Sequence, residues 1–329
     1  MNPIKKLFAL TAIGFAAMQA QAQNARVQVI HNAPDPAVKF VDVWADVAGM
    51  PMQLLNNFEF RTATPFVDVP AQTPVYLAIA PANSTSIADS IAGLGTIVTL
   101  EEGNAYTLMA IGNVGTGFAA NPDGVSTAFR LLAADNAPIT ANSGSGIDIR
   151  VIHGSTDAPT VDVEARGVAL LVDNARFGDV YPTFNVPSNT YTLDVKTADG
   201  NTIVKSYSAP LSGFNNVGLT VFASGYLDST TNNNGAAFGL FAVSPQGLVI
   251  ALPEVASNVS TQNITLNSLN AYPNPASEFV IVKNYNEDLL ITDMAGKAIR
   301  TVRAEVGSSE TRISVADLPN GVYFISSIN

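Results

Sequence analysis

The chain of 329 residues contains two histidines, and both stand in the same local setting. His31 closes Val29-Ile30-His31 and is followed by Asp35 and then Asp42. His153 closes Val151-Ile152-His153 and is followed by Asp157 and Asp162. One imidazole with two carboxylates in each copy is a ligand set for a divalent metal, and a His–Asp pair can act as a general base. Trp44, the only tryptophan, shares a strand face with Phe40 and Asp42, and such an aromatic platform can stack on a sugar ring. The Asn- and Gly-rich stretches 112–124 and 225–235 carry Asp123 and Asp228, oxygen donors of the kind calcium prefers.

Each of these residues also has a plainer reading. Counting by twos, Val27, Val29 and His31 share one face, as do Ile149, Val151 and His153. Each imidazole then finishes an apolar row at a strand end, where it can cover the core edge and bond to the following turn. Asp35 stands between two prolines and Asp157 two residues before Pro159, settings where a short carboxylate closes a turn through its own backbone. Asp42 and Asp162 sit between valines and are expected on a solvated sheet face. Trp44 is expected to pack against an added loop. The DxDxDG spacing of a calcium loop is absent, so turn chemistry is preferred at 112–124 and 225–235. The structural reading is the one adopted for both histidines, with no metal and no cofactor expected.

Catalytic signatures are lacking. No Gly-x-Ser-x-Gly elbow, His-Glu-x-x-His pair or phosphate loop occurs, and residues 23–253 contain four glutamates, Glu59, Glu101, Glu102 and Glu164. Adjacent Glu101 and Glu102 would face opposite ways on a strand, the wrong geometry for a paired acid and base. The absence of cysteine excludes thiol catalysis and Cys-ligated metals.

Residues 1–22 read as a signal peptide. Lys5 and Lys6 precede the apolar run Leu7 to Met18, and Ala20-Gln21-Ala22 is a small-x-small cleavage site. The apolar run is too short for a transmembrane anchor. Without Lys5 and Lys6 the chain has 14 basic against 27 acidic residues, a formal charge of −13. That balance disfavours nucleic acid as a partner, because phosphate binding needs clustered Lys and Arg.

What must position these side chains is a set of short strands. Apolar runs such as Arg26–His31, Val75–Ala80 and Ala105–Ile111 alternate with Gly, Pro, Asn and Asp punctuation, the pattern of antiparallel β-sandwiches. The pattern occurs twice. His31 and His153 are offset by 122 residues, Asp42 and Asp162 by 120. Further on, Pro65–Pro70 aligns with Pro182–Pro187, Ala105–Gly112 with Val217–Ser224, and Phe129–Leu132 with Phe238–Phe241. The fold class is therefore all-β, with sandwich repeats at 24–136 and 147–253 joined by the polar stretch 137–146. A second polar linker, 254–270, with sequons at Asn258 and Asn263, leads to a final domain at 271–329.

The order VIH-x-x-x-D, VDV and an apolar strand ending in Val-Pro resembles the bacterial extracellular DUF4397 domain, over both repeats. That resemblance implies export and an immunoglobulin-like sandwich, and carries no assigned activity. The last residues resemble the type A C-terminal sorting domain of the Bacteroidetes type IX secretion system. The matching positions are Tyr272-Pro273-Asn274-Pro275, Gly296, and Pro319-Asn320-Gly321 with Tyr323. The two prolines predict an extended start around Asn274, and Asn320-Gly321 a turn between strands. The chain stops at Ser326-Ser327-Ile328-Asn329 without the short basic finish frequent in that family, so its last strand is expected to be short.

By these resemblances the partner is the type IX secretion machinery, and the location is the outer-membrane surface or the medium, after export through the periplasm. The expectation is a non-enzymatic structural, adhesion or interaction module that touches surface polysaccharide or another surface protein. A glycan-binding accessory module using Trp44, and a metal-dependent hydrolase using the His/Asp sets, are the alternatives.

Overall fold

The computed structural model describes residues 24–257, 270–283, 288–293, 297–303 and 310–327. The signal segment 1–22, the sequons at Asn258 and Asn263, and Gly296 lie outside the described residues. The chain divides after Ser257 into two compact units.

The first repeat has strands β1 (Asn24–His31), β2 (Phe40–Val47), β3 (Met50–Glu59), β4 (Val67–Pro70), β5 (Val75–Pro81), β6 (Thr96–Val98), β7 (Ala105–Ile111) and β8 (Arg130–Ala134). The second has β9 (Ile147–His153), β10 (Val161–Ala165), β11 (Ala169–Ala175), β12 (Phe184–Val186), β13 (Thr190–Thr197), β14 (Ile203–Pro210), β15 (Val217–Ser224) and β16 (Gly239–Val243). Two short additions follow, β17 (Val249–Ala251) and β18 (Glu254–Val255). One sheet runs β4-β1-β7-β8 and its counterpart β12-β9-β15-β16-β17; the other runs β3-β2-β5-β6 and its counterpart β11-β10-β13-β14-β18. Eight strands thus recur in the same order, two sheets per repeat. The fold is all-β, as expected, with one qualification. β1 lies parallel to β7 and β9 parallel to β15, while the other named pairs are antiparallel.

The structure corrects one internal alignment. His31 pairs with Ala110 and His153 with Ala223, so Ala105–Gly112 corresponds to Gly218–Gly225, one residue further on than the sequence match. A slip of one residue moves every side chain to the other face. The corrected register aligns Gly112 with Gly225, both at positive φ and both too close to a facing backbone for a Cβ.

Alternation along β1 and β9 hides a second buried row. Ala25 and Val27 face the first sandwich core. Ile30, on the opposite face, joins Met109, Ile111, Ile152, Phe177 and Phe222 in a cluster drawn from both repeats. Polar groups seal its edges. Gln28 Nε2 donates to the Ser244 carbonyl at 2.9 Å, Asn32 Nδ2 to the Ala223 carbonyl at 3.0 Å, and the Tyr226 hydroxyl to Asn113 Oδ1 at 2.7 Å. The connecting stretch 137–146 is packed as well, since Ala137 and Ala141 are buried and the Gly218 N–H donates to the Ile139 carbonyl. The repeats therefore form one folded body, not two beads on a polar joint.

The final unit pairs β19 (Asn270–Tyr272), β20 (Phe279–Lys283), β21 (Leu289–Asp293), β22 (Ala298–Val302), β23 (Glu310–Ser314) and β24 (Tyr323–Ser327) into sheets β19-β20-β23 and β22-β21-β24. Val282, Leu289, Ile291 and Ile313 form its core. The extended start ends at Tyr272. The chain bends from Pro273 through Pro275, and both X–Pro bonds there are cis.

Because Phe222 is fully buried in the shared cluster, Phe222→Ala should cost about 4 kcal/mol. Trp44 lies in the other repeat and its fluorescence reports that repeat alone. The Trp44-detected unfolding midpoint should fall in the Phe222→Ala variant; an unchanged midpoint would show that the repeats melt independently.

Candidate functional site

The recurring aspartates sit where strand ends meet loops, and each is an acceptor for backbone N–H groups. Asp35 caps a three-residue 3-10 turn, Pro36–Val38, taking the Ala37 N–H on Oδ1 at 2.9 Å. Its Oδ2 receives the N–H groups of Val114 and Gly115, both at 2.9 Å, from the loop after β7. Asp157 does the same across the second repeat. Oδ1 accepts from Leu227 N, and Oδ2 from Asp228 N and Asn232 Nδ2. Each carboxylate therefore ties the turn after the first strand to the loop after the seventh; the local closure expected at both is present at Asp35, whereas the backbone donors of Asp157 are Leu227 and Asp228.

Asp42 and Asp162 overturn the expectation of a solvated sheet face, for they are 0% and 5% exposed. The cause is a bulge on the neighbouring edge strand. Register shifts interrupt β2–β3 at Val43 and β10–β11 at Val163. In each bulge an asparagine takes positive φ, Asn57 at 52° and Asn174 at 56°, and turns its N–H toward the carboxylate at 2.7 and 2.8 Å. Asparagine tolerates that conformation better than most residues. Asp42 also accepts from the Ser84 hydroxyl at 2.6 Å, and Ser84 Oγ accepts from the Trp44 indole at 2.9 Å. Trp44 is half-buried and its ring is fixed by this chain. Asn57, Ser84 and Asn174 escaped sequence reasoning; the Asn56-Asn57 and Asp173-Asn174 pairs were the available signals.

The two histidines part company. Both are buried, at 2% and 3% exposure. His31 Nε2 donates to the Val38 carbonyl at 2.7 Å and Nδ1 accepts from Ala33 N at 3.4 Å, partners that assign the proton to Nε2. The ring stands 6.0 Å from the Phe58 ring and 6.1 Å from that of Phe60. His153 has no hydrogen-bond partner on either nitrogen beyond its own residue, and it lines an apolar cavity of about 90 Å³ in the second sandwich.

The sequence-selected groups are not brought together. Among the described residues no three His, Asp or Glu side chains converge as a metal site would require. Asp123 accepts from the Thr160 N–H and hydroxyl, bridging the repeats, and Asp228 caps the turn Ser229–Thr231. In the tail, Tyr272 is 39% exposed with Lys283 Nζ 5.1 Å from its ring centre, and the Tyr323 hydroxyl donates to the Pro319 carbonyl at 2.9 Å. Asn274, Pro275 and Asn320-Gly321 are exposed, the latter two in the bend before β24.

Residues 147–237 match the family model "Domain of unknown function (DUF4397)", and residues 270–329 match "Secretion system C-terminal sorting domain". The chain thus carries a DUF4397 domain, preceded by a repeat of the same strand order, and a type IX sorting domain that directs export to the cell surface or beyond. No curated protein matches. Solved structures that resemble it include streptococcal family 41 carbohydrate-binding modules described for α-glucan recognition, at 12% identity and a TM-score of 0.18, covering 60% of this chain and 93% of that one. Another is the pneumococcal glycogen-degrading protein SpuA, at 11% identity and a TM-score of 0.20, covering 94% of this chain and 37% of that one. Scores this low carry no argument about ligand. Among the described residues no helix is long and apolar enough to cross a membrane.

Burial pushes both imidazoles down to about 4, offset only in part at His31 by the Val38 carbonyl. In the unfolded chain they protonate near 6.5, so the unfolded state binds protons first as pH falls. Stability is then complete above about pH 6.5 and declines toward pH 4, by roughly 3 kcal/mol for each histidine. Urea unfolding across that window should show the decline; a flat profile would contradict it. Asp35→Ala, which strands three N–H groups, should cost about 3 kcal/mol, and Asp35→Asn less, since one acceptor oxygen remains.

Proposed function

We propose that this protein is a non-enzymatic module exported by the type IX pathway, a rigid two-repeat body that spaces or presents contacts at the bacterial surface. The observation that carries this reading is the saturation of the recurring carboxylates and of His31, with His153 the one group of the set left unpartnered, inside an apolar cavity with no carboxylate in its lining. Asp35, Asp42, Asp157 and Asp162 each hold backbone N–H groups and His31 is closed by Val38, so none is free to act on a substrate. The leader at 1–22 takes the chain to the periplasm of a Bacteroidetes-type cell, and the sorting domain takes it across the outer membrane. Surface polysaccharide or another surface protein is the partner class. In the native host, deletion of 271–329 should leave the protein in the periplasm. Its appearance at the surface or in the medium after that deletion would refute the route.

A second reading, glycan contact, is favoured by the fixed indole of Trp44 on the sheet that also exposes Tyr76, one strand away. A rigid aromatic loses little freedom on stacking against a sugar. A surface polysaccharide from the host should raise the melting temperature of the mature chain, and Trp44→Ala should abolish the rise. A rise that survives Trp44→Ala would place the contact elsewhere.

A further inference from the structure

The two repeats supply an internal comparison at the histidine. In the first, three pieces of chain close over the ring. The turn Pro36–Val38 brings the Val38 carbonyl to Nε2, Phe58 stands 6.0 Å away, and the long β5–β6 connection packs Ile91 and Leu94 into the same cluster. In the second, all three are missing. The segment between Asp157 and Asp162 is two residues shorter than that between Asp35 and Asp42, and no 3-10 turn forms in it. Strand register aligns Phe58 with Ala175, since Val41 faces Phe58 and Val161 faces Ala175. The β13–β14 connection contracts to residues 198–202. What remains beside His153 is the 90 Å³ cavity, lined by Ala175, Val161, Val195 and other apolar side chains.

The geometry points to a ligand site inside the second sandwich, taking a small neutral molecule with a branched apolar body and one hydroxyl, its oxygen on a ring nitrogen of His153. The apolar walls exclude a charged guest, because nothing among the described lining residues would pair with it. Neither ring nitrogen opens onto the cavity, whose surface is almost wholly apolar, so the guest's hydroxyl meets one only when the imidazole turns about its Cβ–Cγ bond. The ring is neutral near pH 7 and then offers one donor and one acceptor nitrogen, either of which a hydroxyl satisfies. Size follows from volume. A dry engineered cavity of about 150 Å³ holds benzene, so 90 Å³ accommodates on the order of four non-hydrogen atoms. Val204 lines the cavity and is 38% exposed, which makes its side the thinnest cover for an entering guest to displace.

His31 serves as a built-in control for the test. The mature chain is labelled with ¹⁵N at histidine and titrated with isopropanol at neutral pH. The expected result is a saturable, millimolar shift of the His153 ring nitrogens with His31 unmoved. Ala175→Phe, which restores the first repeat's plug, should abolish the shift while leaving the His31 signals in place. If that variant fails to fold, His153→Leu is followed by the methyl resonances of the cavity walls. It should still admit xenon, while its affinity for isopropanol falls at least tenfold. Equal or unsaturable shifts at both histidines would overturn the proposal. So would an unmoved His153 whose nitrogens show exchange contacts to a long-lived water.

Discussion

A carboxylate can sit in a dry sheet end only where N–H groups converge on it, and that requirement organises the two-repeat body. Asp35 and Asp157 each gather donors from a loop about 70 residues or more away in sequence. Asp42 and Asp162 each reach an edge strand whose bulge turns a single N–H inward. The charge is tolerated because the backbone donors it collects would otherwise be unsatisfied themselves. Loop position, edge-strand bulge and strand end are thereby fixed together, and a protein without disulfides holds its loops by these bonds.

The second organising term is burial between the repeats. β1 and β9 present apolar side chains on both faces, so each strand is the inner wall of its own sandwich and part of the seam with its neighbour. Gly154 shows how closely the seam fits. A Cβ there would stand 2.1 Å from Asn32 Nδ2, so the asparagine of the first repeat occupies the space that its counterpart, a glycine, leaves open in the second. Duplication followed by such complementary changes turns a repeat into a pair that cannot be separated without exposing Ile30, Ile152 and Phe222. The same divergence leaves His31 covered and His153 facing a cavity.

Much of the fold was legible because period-two alternation and turn residues are local signals. Most strands of the first repeat, their recurrence in the second and the sorting motifs at Tyr272-Pro273-Asn274-Pro275 and Pro319-Asn320-Gly321 could be read directly, whereas β3, β11 and β14 and the order of strands in the sheets could not. Three further features could not, each for a physical reason. Asp42 and Asp162 look solvated in any alternation count, because the bulge that covers them lies on another strand. The Ala105–Gly112 match slipped by one residue because apolar identities repeat on both faces of a doubly buried strand, which removes the parity that normally fixes register. The difference between His31 and His153 depends on Val38, Phe58 and the 82–95 connection, whose loss in the second copy is visible only once strand pairing aligns Phe58 with Ala175. Of the candidate site residues, type and spacing could be read, but not what their carboxylates would hold.

Native-state hydrogen exchange at the amides of Val114, Gly115, Leu227 and Asp228 tests the central claim most directly. These N–H groups lie in loops, outside every strand ladder, and their protection depends on the Asp35 and Asp157 carboxylates. The account requires them to exchange as slowly as the core strands β7 and β15, opening only when the whole body unfolds. Exchange at the rate of ordinary exposed loops would show that the carboxylates do not anchor the strand ends.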